Sequence, residues 1–301
     1  MNRLFFKIKE RIFRIGPVLG NYMLNYKVGL FLLKRLIKLR SFQKHRATEI
    51  KNITTLLALL DVPESQYEPI INQYLFNNTW HNWKSLHYEQ PKTFYKYWHI
   101  KDKETIGKHY QNQQVIIFLY RHTALSNQHS SLLRFGFGFK FVSLGNINAK
   151  NFLVLNGQSD LSEEVMNNPM KYQQVIRNQQ LKKMLVTLNN TEGYAINYFY
   201  DGQEGNNFRK GQIGNLYYQL STDLLRFLRP HTQLVMVEPS FNGDGSVVVK
   251  FHEVPRFTNF TEQYDYVHDY YKRTFLAALP TLNDYMINQI LKNHHALKNS
   301  N

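Results

Sequence analysis

VIIFLYRHTALSNQHS, running from Val115 to Ser130, is the segment around which the rest of the chain is organised. Val115–Tyr120 is an unbroken apolar run bounded by polar residues, the pattern of a strand covered on both faces. It stops abruptly at Arg121-His122, and the residues from Thr123 onward predict a helix reaching about Arg134. His122 is therefore expected at the carboxyl end of a buried strand and beside a helix N-terminus, where open α/β sheets bind ligands. Asn127 follows five positions after His122 and His129 seven positions after it.

Outward from that stretch, the chain alternates strand and helix signals. Phe135–Phe139 predicts a turn and Phe139–Leu144 a second strand, so a βαβ unit with parallel pairing is expected. Residues 145–170 are polar and rich in Asn and Gly, the composition of a loop, and Lys171–Leu188 predicts a basic helix. Tyr194–Tyr200 predicts a third strand ending at Asp201-Gly202-Gln203-Glu204-Gly205. A helix is expected around Leu216–Leu228, then a strand Leu234–Val237 closed by Pro239. A hairpin turn, Asn242–Gly245, leads into the alternating strand Ser246–His252. A helix over Glu262–Leu279, Pro280, a further helical segment and a frayed polar tail complete the chain. Upstream, residues 48–80 predict two helices interrupted at Pro63. The fold class that follows is α/β, with a mixed, largely parallel central sheet flanked by helices.

The 301 residues carry a net charge of +15 and no cysteine, which excludes disulfides and thiolate chemistry and implies an anionic partner. The charge is concentrated. Residues 1–46 hold twelve Lys and Arg against the single acid Glu10, interleaved with Leu, Ile and Phe. Such basic amphipathic helices suit a membrane interface, and residues 1–46 are separated on that basis from an α/β domain over 47–301. Lys27 and Lys34 interrupt the best apolar run before it reaches the about 18 residues of a spanning helix. A peripheral address on the cytoplasmic face of the inner membrane is the expectation. Nucleic-acid binding would explain the charge but not the apolar interleaving.

Among chemistry-bearing residues, His122 is the candidate general base, since histidine exchanges a proton near neutral pH when a partner holds its tautomer. Asn127 is the candidate orienter: its carbonyl oxygen can accept a ring N–H, although an amide does not stabilise imidazolium as a carboxylate does. Asp201, with Glu204 close by, ends a strand in a Gly-rich turn. If the strands are parallel neighbours it projects beside His122, to bind substrate or to orient the base; otherwise it is a turn-forming Asp. Arg121 and His129 are further candidates for lining the site, and no third ligand accompanies the two histidines to make a metal site. Gly202 and Gly205 lack the flanking pattern of a phosphate loop.

Taken in order, these features resemble the bacterial late lipid A acyltransferases, the lauroyl and myristoyl transferase type within the glycerolipid acyltransferase superfamily. The shared order is a basic hydrophobic N-terminus, an apolar strand into His-x4-(Asp/Glu), a strand ending in Asp, a Gly before a helix, a strand ending in Pro and a late Pro. The resemblance spans about residues 15–285 and matches His122 to the catalytic His, Asn127 to the acid position and Asp201-Gly202 to the Asp of the later strand. It matches Gly214, Pro239 and Pro280 to the remaining positions. It implies that His122 removes a proton from an acceptor hydroxyl, which attacks an acyl thioester of acyl carrier protein or CoA. It also implies that Gly202, Glu204 and Gly214 help to hold substrate, with no metal or redox cofactor. The sequence departs from the family at Asn127, in the Thr-Ala-Leu-Ser spacer, and in the aromatic after Pro280, which is displaced to Tyr285. Two readings stay open here: an acyltransferase acting on a lipid or glycolipid hydroxyl or amine, or a catalytically impaired relative that binds lipid or a partner.

Overall fold

A computed structural model describes residues 26–88, 91–112, 115–125, 132–137, 141–143, 186, 194–201 and 207–299. The chain begins with α1 (Tyr26–Leu36), α2 (Arg40–His45) and α3 (Ala47–Leu59), then α4 (Tyr67–Tyr88) and α5 (Pro91–Tyr97). Strand β1 (Trp98–Ile100), helix α6 (Lys103–Gln111) and strand β2 (Val115–Tyr120) follow, then a π-helical turn (Leu132–Phe137). The strands β3 (Phe141–Ser143), β4 (Tyr194–Phe199), β5 (Phe208–Ile213), β6 (Leu216–Ser221), β7 (Thr232–Phe241) and β8 (Val247–Glu253) lead to α7 (Phe260–Ala278) and α8 (Asp284–Asn299).

Six strands form one sheet in the order β1-β8-β7-β2-β4-β3, and β5-β6 form a separate antiparallel pair. β2 is parallel to both its neighbours, β4 and β7, and β3 is parallel to β4. β8 runs antiparallel to β7, so the sheet is mixed and largely parallel, as the sequence predicts. Every residue of β2 is buried, because helices cover both faces of the central strand. Val115, Ile117 and Leu119 join a core with Leu56, Leu57, Trp80, Tyr271 and Ile290. Ile116, Phe118 and Tyr120 join a second core on the opposite face, with Phe94, Trp98, Val235 and Val249. Strand alternation thus assigns each residue beyond Tyr120 to one face of the sheet or the other.

Several predicted elements differ. The residues immediately after His122 are not helical: Thr123 forms an antiparallel bridge with Leu282, and Ala124 N donates to Thr281 O at 3.0 Å. The 280–283 segment captures the backbone of Thr123 and Ala124, so no helix opens at these two residues. Residues 126–131 lie outside the described residues, as do the loop at 145–170 and all of Lys171–Leu188 except Val186. The Gly-rich Phe135–Phe139 segment enters a π-helical turn through Phe137. In place of a helix over Leu216–Leu228 there is β6 followed by a 3-10 turn, Thr222–Phe227. Leu216, Tyr218 and Leu220 are buried, an alternation of period two that pairs with Phe208–Ile213. Pro239 does not close its strand; β7 continues to Phe241. β2 pairs with β7 only as far as Met236, so Pro239 sits on a locally free edge, where a missing N–H costs no ladder bond. The tail does not fray before Asn299, because α8 buries Met286, Ile287, Ile290, Leu291, His294 and Leu297.

The N-terminal helices join the body of the protein. Leu33, Ile37 and Phe42 are in the same core as Ile53 and Leu56, so the division at residue 46 crosses a continuous apolar core. The opposite side of α1 and its continuation leaves Val28, Phe31, Leu32 and Leu39 exposed, Phe31 at 55% and Leu32 at 47%. Among the described residues no helix is long and apolar enough to cross a membrane.

Candidate active site

The site forms where β2 and β4 end side by side. Their parallel register pairs Tyr120 with Phe199, and the next residues of each strand, beyond Tyr200, bring His122 and Asp201 together. His122 Nδ1 lies 2.8 Å from Asp201 Oδ1, and the backbone N–H of His122 donates to Oδ2 at 2.8 Å. With Asp201 Oδ1 as the acceptor, Nδ1 carries the ring proton, which makes Nε2 the basic nitrogen of the neutral ring. The Asp201 side chain is 1% exposed and that of His122 is 24% exposed. One carboxylate therefore fixes both the backbone and the tautomer of a histidine that still reaches solvent.

Other groups hold the ring. It stacks on Phe199, with centroids 4.3 Å apart and planes 25° apart, and Tyr285 stands 6.3 Å away, centroid to centroid. Phe199 itself rests against Tyr120 at 6.1 Å, so a ladder of aromatic rings supports His122 from the buried strand upward. From the other side Asn283 ties the corner to α8. Its N–H donates to His122 O at 3.3 Å, its amide nitrogen to Thr123 O at 3.3 Å, and its side-chain oxygen caps α8 by accepting from Met286 N at 2.8 Å. Phe199, Asn283 and Tyr285 carry no catalytic signature in the sequence. Only the displaced aromatic after Pro280 marks Tyr285.

Arg121, one residue before the histidine, points the other way. Its guanidinium donates to Tyr200 Oη at 2.5 Å, to Thr274 O at 3.1 Å and to Tyr271 O at 3.3 Å, and also to Thr274 Oγ1. It also lies over the Tyr271 ring, 5.0 Å from its centroid. Burial pushes the hydroxyls of Tyr200 and Tyr271 above their ordinary values, so both remain neutral partners. Arg121 thus bolts the end of β2 to α7 and is not placed to meet a substrate at His122.

Of the remaining predicted site residues, Gly214 is the first residue of the two-residue turn between β5 and β6, at φ +55°. A Cβ there would sit 2.9 Å from Leu59 O, so the glycine serves the docking of this hairpin on the end of α3. That corrects its expected place before a helix and beside the substrate. Asn127, His129, Gly202 and Glu204 lie outside the described residues. Among the described residues no three His, Cys, Asp or Glu side chains gather to hold a metal.

The arrangement can take a proton from a hydroxyl or amine approaching Nε2, with the buried Asp201 carboxylate balancing the imidazolium that results. No family profile and no curated protein matches the chain.

Proposed function

We propose that the protein is an acyltransferase, moving a fatty acyl chain from a thioester of acyl carrier protein or CoA to a hydroxyl or amine of a lipid or glycolipid. His122 Nε2 takes the acceptor's proton as its oxygen or nitrogen attacks the thioester carbonyl. The C–S bond then breaks, and the imidazolium returns the proton to the departing thiolate. The observation that carries this reading is the His122–Asp201 pair, held by two contacts of 2.8 Å. Asp201 supplies the carboxylate that Asn127 lacks, which favours a catalytic role over a merely lipid-binding one.

The cytoplasmic membrane face is proposed on the exposed side of α1. Phe31, Leu32, Val28 and Leu39 stand among Lys34, Arg35 and Lys38, and the Arg35 guanidinium lies 4.6 Å from the Phe31 ring centroid. Apolar side chains for the acyl boundary, ringed by cations for anionic headgroups, are what interfacial binding requires.

The test is mass spectrometry of lipids from cells producing the wild-type chain or His122→Ala. A lipid that gains one acyl chain only with intact His122 supports the transferase and identifies the acceptor. Identical profiles from both and from cells lacking the protein, with the chain folded and membrane-bound, would give the lead to the non-catalytic reading.

A further inference from the structure

A cavity of about 440 Å³ opens on the face of the sheet opposite to His122, between α4, α7 and the carboxyl-terminal half of β7. Its size is that of small-molecule sites, roughly 300–1,000 Å³. It lies at the carboxyl ends of the parallel strands β2 and β7, where α/β sheets receive ligands. The Thr123–Leu282 bridge and the Ala124–Thr281 hydrogen bond join strand end to 280–283 segment, and Thr123, Pro280 and Thr281 form the cavity wall on that side. His122 is not part of the lining.

The lining selects among ligand chemistries. Its charged side chains are Arg121 and Glu238, one of each sign. Arg121 gives four of its five N–H donors to Tyr200, Tyr271 and Thr274, so a phosphate or carboxylate entering the cavity would meet the Glu238 carboxylate with at most one guanidinium N–H left to hold it. An ammonium would in turn sit near the buried guanidinium. An uncharged group avoids both penalties. The polar atoms that remain are those hydroxyl groups pair with: the Glu238 carboxylate, held by Tyr270, the Gln73 amide oxygen, and Ser240. The Asn77 amide is already engaged, accepting from Gln73 Nε2 and donating to Pro280 O. Phe241, Pro239, Pro280 and Ala277 supply flat apolar walls for C–H faces.

We infer that this cavity is a second binding site, separate from the His122–Asp201 pair, for an uncharged polyhydroxylated group such as a sugar ring. The site stands on its own observations and does not depend on the proposed acyl transfer. A free sugar and the sugar of a glycolipid headgroup present the same chemistry, and the choice of probe distinguishes them.

The experiment is saturation-transfer NMR on the full chain with methyl glucoside, glycerol 3-phosphate and ethanolamine as free probes, and with a glucosyl lipid in neutral micelles. Methyl glucoside should receive saturation, and the charged probes should not. Ala277→Trp fills the cavity from an exposed position, and Glu238→Ala removes the principal acceptor. Each should weaken binding about tenfold or more, while His122→Ala leaves it unchanged. Binding of the lipid-borne sugar alone would place the source in a membrane glycolipid; binding of both probes would make the ring sufficient. Saturation of glycerol 3-phosphate or ethanolamine instead, or of none of the probes, would overturn the inference. So would wild-type binding by Ala277→Trp, or loss of binding in a folded His122→Ala protein.

Discussion

Replacing Asp201 by Asn tests the reasoning at its most exposed point. Both carboxylate oxygens are in use, one against Nδ1–H and one against the backbone N–H of His122, each at 2.8 Å. An amide has a single acceptor. If its oxygen keeps the backbone N–H, its NH2 group faces Nδ1, which must then give up its proton. The proton moves to Nε2, where a general base cannot hold it. If the amide turns over, the NH2 group abuts the His122 N–H, and a buried donor loses its partner at about 1–3 kcal/mol. Either way the charge opposite a forming imidazolium is gone. The corresponding exchange in a Ser-His-Asp triad lowers turnover about four decades, which at roughly 1.4 kcal/mol per decade is about 5 kcal/mol of transition-state stabilisation. Two assays read this: long-range ¹⁵N–¹H spectra of the His122 ring, and the yield of acylated lipid from cells. The expected result is a proton on Nδ1 in the wild type, a proton on Nε2 in the variant, and product near background. An Asp201→Asn protein that keeps the Nδ1–H tautomer and wild-type yield would refute the argument.

Other consequences are as direct. Asn127→Asp should leave the acyl product unchanged, because the ring proton of His122 already has its carboxylate; a clear rise in yield would assign the orienting role to position 127 after all. Phe31→Asp with Leu32→Asp should reduce binding to anionic vesicles more than tenfold in co-sedimentation, since each large apolar side chain contributes about 1.5–3 kcal/mol when buried. Burial lowers the His81 pKa from 6.5 to about 3. The folded chain therefore keeps His81 neutral where the unfolded chain binds a proton. Stability contributed at neutral pH is lost as pH falls below about 6.5, amounting to about 2 kcal/mol by pH 5, and is indifferent to rising pH. His81→Leu should flatten that acid limb in urea titrations at pH 7 and 5. Gly214→Ala should cost about 1–2 kcal/mol of stability through its left-handed backbone, while sparing the acyl product once the protein is folded.

Much of this architecture is legible along the chain. The apolar run Val115–Tyr120 is a buried parallel strand because only a strand covered on both faces can be apolar at every position. The alternation after Asn242–Gly245 gives its hairpin, and the break at Pro63 separates its helices. His122 stands out because it is the first side chain after the six buried residues whose ordinary pKa lies near neutrality. The misread elements are those where a distant segment competes with local preference. At Thr123 the backbone pairs with Leu282, so no helix opens at that residue, and Leu216–Ser221 pairs with Phe208–Ile213 in place of the expected helix.

The partner of His122 is the clearest division between the two levels. Sequence spacing offers Asn127, five residues away, because only local offsets can be measured along a chain. The carboxylate that binds the ring is 79 residues away, delivered by the parallel register of β2 and β4. The same alternation sends Arg121 to the opposite face, where α7 takes up its donors, and leaves a cavity behind it. Composition determined by itself that there would be a buried sheet, a basic apolar N-terminus and a histidine at a strand end. Which side chains meet there was decided by strand order and register, because these set distances between residues that the covalent chain leaves unconstrained.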